Sequence, residues 1–114
     1  VFTGCYTANP DDVYGYGNLL VVATQRGADA ALGFTDEVEY GALATTWNNC
    51  FWGALCYGRD SFYPSYPEGP TTVSQAAEFA KDVVEVAYGR HDGYRYYYVK
   101  GNANLKIVPA REGN

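Results

Sequence analysis

Val1-Phe2-Thr3-Gly4-Cys5-Tyr6-Thr7-Ala8 is the stretch whose reading decides the fold. A β-branched and aromatic run of this kind favours a short strand. It ends at Gly4-Cys5 and passes into a loop, Asn9 to Gly17, that holds Pro10, Asp11, Asp12, Gly15 and Gly17. Such residues make irregular turns. The pattern therefore sets a thiol at the carboxyl end of a strand, where open α/β sheets keep their reactive groups. Four residues make a short first strand, and Val1 is not an initiator residue. The expectation is an incomplete domain, with sequence upstream or a second chain supplying further strands.

Beyond the loop, Asn18 is a good N-cap for a helix over Leu19 to Arg26, and Gly27 suits its C′ position. Ala30-Ala31-Leu32-Gly33-Phe34-Thr35 then reads as a buried parallel strand, so strand, helix and strand would form a right-handed crossover. From Tyr40 to about Tyr57, Leu43, Trp47, Phe51 and Leu55 recur every four residues, the ridge of a second helix. A proline-rich, aromatic loop from Gly58 to Pro70 is long for a plain connection. Thr72 and Gln75 form a capping-box pair that opens a third helix. Val73, Ala76, Ala77, Ala80, Val83, Val84 and Ala87 give that helix a core face, and Gly89 stops it. Tyr94 to Val99 reads as a strand, a turn follows at Gly101 to Asn104, and Leu105 to Val108 reads as another short strand ended by Pro109. The order β-α-β-α-α-β-β defines an α/β chain.

Composition excludes several classes of function. The 114 residues suffice for one domain, and 47% of them are apolar, enough for a core. A formal net charge of -5, with no basic stripe, argues against nucleic acid as a partner. No apolar run approaches the roughly 20 residues of a membrane helix. The twelve tyrosines suit strands, half-wet surfaces and assembly interfaces. Cys5, Cys50 and Cys56 are an odd set with no CxxC spacing, which suggests neither a disulfide framework nor a zinc site. Cys50 and Cys56 lie six apart on one helix, about 9 Å along its axis, and read as small apolar residues. They leave the compartment open, and no cofactor is expected.

Taken in order, several of these segments resemble the C-terminal half of a caspase-like cysteine peptidase of the CHAT and gingipain-type branches. Gly4-Cys5-Tyr6-Thr7-Ala8 resembles the cysteine turn that follows a hydrophobic strand in that family. Arg26-Gly27-Ala28 and Ala30-Ala31-Leu32-Gly33 are similar to its helix end and next strand. Trp47, Phe51 and Trp52 resemble the aromatic part of the following helix, and Thr72-Val73-Ser74-Gln75-Ala76-Ala77 resembles a helix start. Gly101-Asn102-Ala103-Asn104-Leu105 looks like the family's closing turn. Each motif is weak alone, and together they cover almost the whole chain. Ala8 stands where the pattern has glycine and Asn102 where it has aspartate.

The resemblance implies a three-layer sandwich with a mostly parallel sheet over residues 1–114, and a cysteine endopeptidase acting on peptide or protein substrates. Cys5 would be the nucleophile, and the histidine base would come from an upstream segment or a second chain. The residues themselves leave two accounts of Cys5, since a cysteine beside glycine is also often a plain core residue. His91, the only histidine, sits in the turn Gly89-Arg90-His91-Asp92-Gly93 and reads as a solvated turn residue. Asp36, Glu37 and Glu39 follow the second strand on the same carboxyl edge as Cys5. Asp36 and Glu37 are the candidates to bind a basic P1 side chain through bidentate pairing. The plainer account of these acids is a helix start favoured by the helix dipole. Asp11 and Asp12 read as ordinary loop acids, and Gly15-x-Gly17 is only a fragment of a phosphate-binding fingerprint. The alternative to a peptidase is a non-catalytic module used for binding or for self-assembly into homo-oligomers.

Overall fold

The computed structural model describes residues 19–34, 41–59, 69–90, 92–95 and 97–107. Within them the chain runs α1 (Leu19–Gln25), β1 (Ala30–Phe34), α2 (Ala42–Cys56), α3 (Val73–Tyr88), α4 (Asp92–Arg95) and β2 (Tyr97–Gly101). It is a mixed helix and strand fold. The expected first strand, Val1 to Gly4, lies outside the described residues.

The end of α1 and the start of α3 are set by local chemistry. The end of α1 is closed by two bonds around Gly27: Ala28 N–H donates to Ala23 C=O at 3.1 Å and Gly27 N–H to Thr24 C=O at 3.2 Å. This is a Schellman motif, and the Gly27 φ of 109° is the left-handed conformation it requires. The capping box of α3 forms as the sequence predicts, with Gln75 N–H donating to Thr72 Oγ1 at 3.1 Å and Thr72 N–H to Gln75 Oε1 at 3.0 Å. By contrast α2 starts at Gly41 with no side-chain cap. Its stability comes from packing rather than from its ends.

β1 and β2 pair antiparallel, Phe34 opposite Tyr97, Leu32 opposite Val99 and Ala30 opposite Gly101. Side chains alternate across a strand, so one face of the pair carries Leu32, Phe34, Tyr97 and Val99 and the other Ala31. The first face packs on α2 and α3 through Trp47, Phe51, Ala54, Leu55, Ala76, Ala77, Phe79, Ala80 and Val84. The second meets α1, where Leu20 and Ala23 cover Ala31. Helices thus lie on both faces, and Ala31 to Phe34 are all buried. α2 and α3 form an antiparallel pair: Thr46 meets Tyr88 (hydroxyls 3.3 Å apart) at one end. At the other, Thr71 N–H donates to Ala54 C=O at 3.1 Å.

Three expectations need correction. β1 is buried as predicted, but its partner among the described residues is antiparallel. A continuous apolar run encodes burial and is silent on strand direction. Tyr94 does not begin a strand; it sits in the α4 turn, fully buried, edge-to-face with Phe34 at 5.5 Å. Its high β-propensity reflects how well aromatics fit half-buried surfaces, and tertiary packing overrides it here. Residues 105–107 are not a strand either. The carbonyls of Leu105 and Ala103 accept from Val73 N–H and Ser74 N–H, both at 2.9 Å. They thereby satisfy the first-turn donors of α3 that have no partner inside the helix.

Candidate functional site

The carboxyl end of β1, the start of β2 and α4 come together at one end of the sheet. Their floor is aromatic. Phe34 meets Trp47 edge-to-face at 5.1 Å and Tyr94 at 5.5 Å, and Trp47 stacks on Phe51 at 4.9 Å with planes 9° apart. Such contacts hold the ring positions as well as burying area.

Above this floor a polar network ties β2 and α4 to α3. The Tyr97 hydroxyl donates to Glu78 Oε2 at 2.5 Å, and Lys81 Nζ donates to Glu78 Oε1. Lys81 also lies 3.5 Å from Asp82. Arg95 pairs with Glu85 at 3.0 Å. The bonds from Lys81 and then Tyr97 hold the Glu78 carboxyl below its ordinary range, and Glu78 in turn holds Lys81 above its own. Burial, then the bond to Glu78, pushes Tyr97 well above the usual tyrosine value. A phenol so strongly protonated is a donor and not a base, so the network orients the sheet on α3 rather than reacting.

This coupling has a pH signature. The lowered Glu78 pKa contributes stability present above the ordinary carboxylate value and lost as pH falls through the folded one. The raised Tyr97 pKa contributes stability present below about pH 10 and lost as pH rises beyond it. Tyr97→Phe is expected to move the acid limb of a melting-temperature profile to higher pH and to weaken the alkaline limb. The change should stay within about 1 kcal/mol because Glu78 is half exposed. Identical limbs in the two proteins would remove the coupling.

Cys5, Asp36, Glu37 and His91, together with Glu39, Asp11 and Asp12, lie outside the described residues. Cys50 and Cys56 are free thiols on α2, the first buried, the second partly so, and burial raises the Cys50 pKa. Among the described residues no group of three His, Cys, Asp or Glu side chains is placed to hold a metal ion. No described helix is long and apolar enough to cross a membrane. Sequence reasoning missed Glu78, Lys81, Tyr97 and Arg95. The spacing of Glu78, Lys81 and Glu85 on one helix was a usable signal; the residues they meet across the fold left none.

No family model matches this chain, and neither does any curated protein or solved structure.

Proposed function

We propose that the chain is the C-terminal portion of a caspase-like cysteine endopeptidase with Cys5 as its nucleophile. The observation that supports this most is the burial of β1 between helices on both faces, directly after the cysteine-bearing segment and α1. A strand buried along its length suits the interior of a sheet, whereas β2 alternates with exposed residues as an edge strand does. In this reading Val1 to Gly4 lies parallel to β1 on its other edge, β2 is an antiparallel edge strand, and the whole is a three-layer sandwich. The crossover then brings Cys5 to the carboxyl edge, beside Asp36 and Glu37.

The chemistry follows from a thiol in that position. A histidine from an upstream segment or a second chain takes the Cys5 proton, and the thiolate attacks the scissile carbonyl. The C–N bond breaks as the histidinium protonates the leaving amine, which leaves a thioester. The same histidine then deprotonates a water, whose attack releases the new carboxyl terminus and returns the thiolate. Asp36 and Glu37 supply carboxylates for a basic P1 side chain.

Thiol labelling tests this within one molecule. An irreversible peptidyl thiol reagent is expected to modify Cys5 at least 100-fold faster than Cys50, whose burial disfavours the thiolate. Labelling is followed by peptide mapping, in the chain together with any segment or chain that co-purifies with it. Equal rates at Cys5 and the partly exposed Cys56 would sink the proposal.

The second reading, a binding or self-assembling module, is favoured by Trp52 and Tyr57, which are 44% and 69% exposed. Large aromatics left in water are common at interfaces. Retention of all biological activity by Cys5→Ala would select it.

A further inference from the structure

The fifteen residues of α2, Ala42–Cys56, include no charged side chain. The outer side of α3, for comparison, carries Glu78, Asp82 and Glu85. The exposed residues of α2 are Ala42, Thr45, Asn49 and Trp52, and the partly exposed Cys56 follows four residues on. Spacings of three and four put all five on one stripe, about 80° wide at 100° per residue. A surface helix normally sets charged residues opposite its core face. Here that face is neutral and has a half-exposed tryptophan, the residue type most enriched among interface hot spots.

We propose that this stripe is the contact between two copies of the chain, packed antiparallel about a two-fold axis at Asn49. The outer positions 42 and 56 each lie seven residues from Asn49, and the inner ones differ by a single residue, 45 four before it and 52 three after. Reversing one copy sets Cys56 against Ala42, Asn49 against its own counterpart, where two amides can exchange hydrogen bonds, and Trp52 within one residue of the level of Thr45. Bulky residues therefore meet small ones, and the helices can approach at the short end of the usual 8–10 Å or so. Charge points to the same occupant. An acidic or a basic partner would find no opposite charge on the stripe, and a chain of net charge -5 can meet its copy here without bringing carboxylates together. A fifteen-residue helix is about 22 Å long, so the contact is small and the dimer weak. The contact stands on the α2 surface alone, and it holds whether or not Cys5 is a nucleophile.

Sedimentation of the whole chain under reducing conditions tests it, at concentrations from about 10 to 300 µM. The wild type is expected to shift with concentration toward twice the 12.5 kDa of one chain. Asn49→Arg, which sets two cations face to face, is expected to weaken association at least 10-fold and leave the melting temperature unchanged. Orientation is read separately, by oxidising Ala42→Cys with copper–phenanthroline and mapping the cross-links. A disulfide between position 42 of one copy and Cys56 of the other fits the antiparallel contact; a Cys56–Cys56 link overturns it. A wild type that stays at 12.5 kDa, or association indifferent to Asn49→Arg, overturns the interface itself.

Discussion

Trp47→Ala is expected to cost about 3–5 kcal/mol in denaturant unfolding. The indole is wholly buried, stacked on Phe51 and met edge-on by Phe34, so its loss empties the centre of the core that joins the sheet to α2. A domain of this size is stable by about 5–15 kcal/mol, so the variant stands close to unfolding. Trp47→Phe separates the ring from its size. It keeps an aromatic plane against Phe51 and Phe34 and removes an indole N–H that is buried with no hydrogen-bond partner among the described residues. A buried unpaired donor is itself a cost, so the phenylalanine variant should fall within about 1.5 kcal/mol of wild type. If the two variants proved equally unstable, the stack would not be the source of the stability.

The second large effect is expected at Gly101, the last residue of β2. Its φ is 91°, and a Cβ there would lie 2.5 Å from the backbone oxygen of Asp29. That oxygen is held in place, since it accepts the Asn102 N–H at 2.8 Å. Gly101→Ala should therefore cost about 2–4 kcal/mol: backbone strain in the left-handed region, plus the parting of the Ala30–Gly101 end of the ladder. Gly89→Ala is the control. Its φ of 84° imposes similar strain, but the added methyl meets nothing within 4 Å, so only about 1–2 kcal/mol is expected. Equal losses at the two positions would show that Asp29 yields and the close approach is unimportant.

These two sites also mark what was legible in the sequence. Trp47 was readable, because Leu43, Trp47, Phe51 and Leu55 repeat with a helical period and the period names the buried face. So were the ends of α1 and α3, where Gly27, Thr72, Gln75 and Gly89 act within a few residues of one another. The antiparallel direction of β2, the Glu78–Tyr97 bond and the capping of α3 by Ala103 and Leu105 were not. Each joins residues far apart in the chain, and no local pattern records which partner will arrive. Tyr94 misled for a related reason: its propensity reports an aromatic seeking cover, and both a strand and a buried helical turn provide it. Of the candidate site, the sequence proposed Cys5, Asp36 and Glu37, all outside the described residues. The described polar network at the end of the sheet was not anticipated.

A last consequence concerns the bridge between Gly58 and Gly69. Gly58 N–H also bonds back to Gly53 and Ala54 at 3.1 Å, and Thr71 N–H reaches Ala54, so both stems are fastened to the same end of α2. The closure of this end of the α2–α3 pair is therefore carried by backbone bonds at the stems themselves.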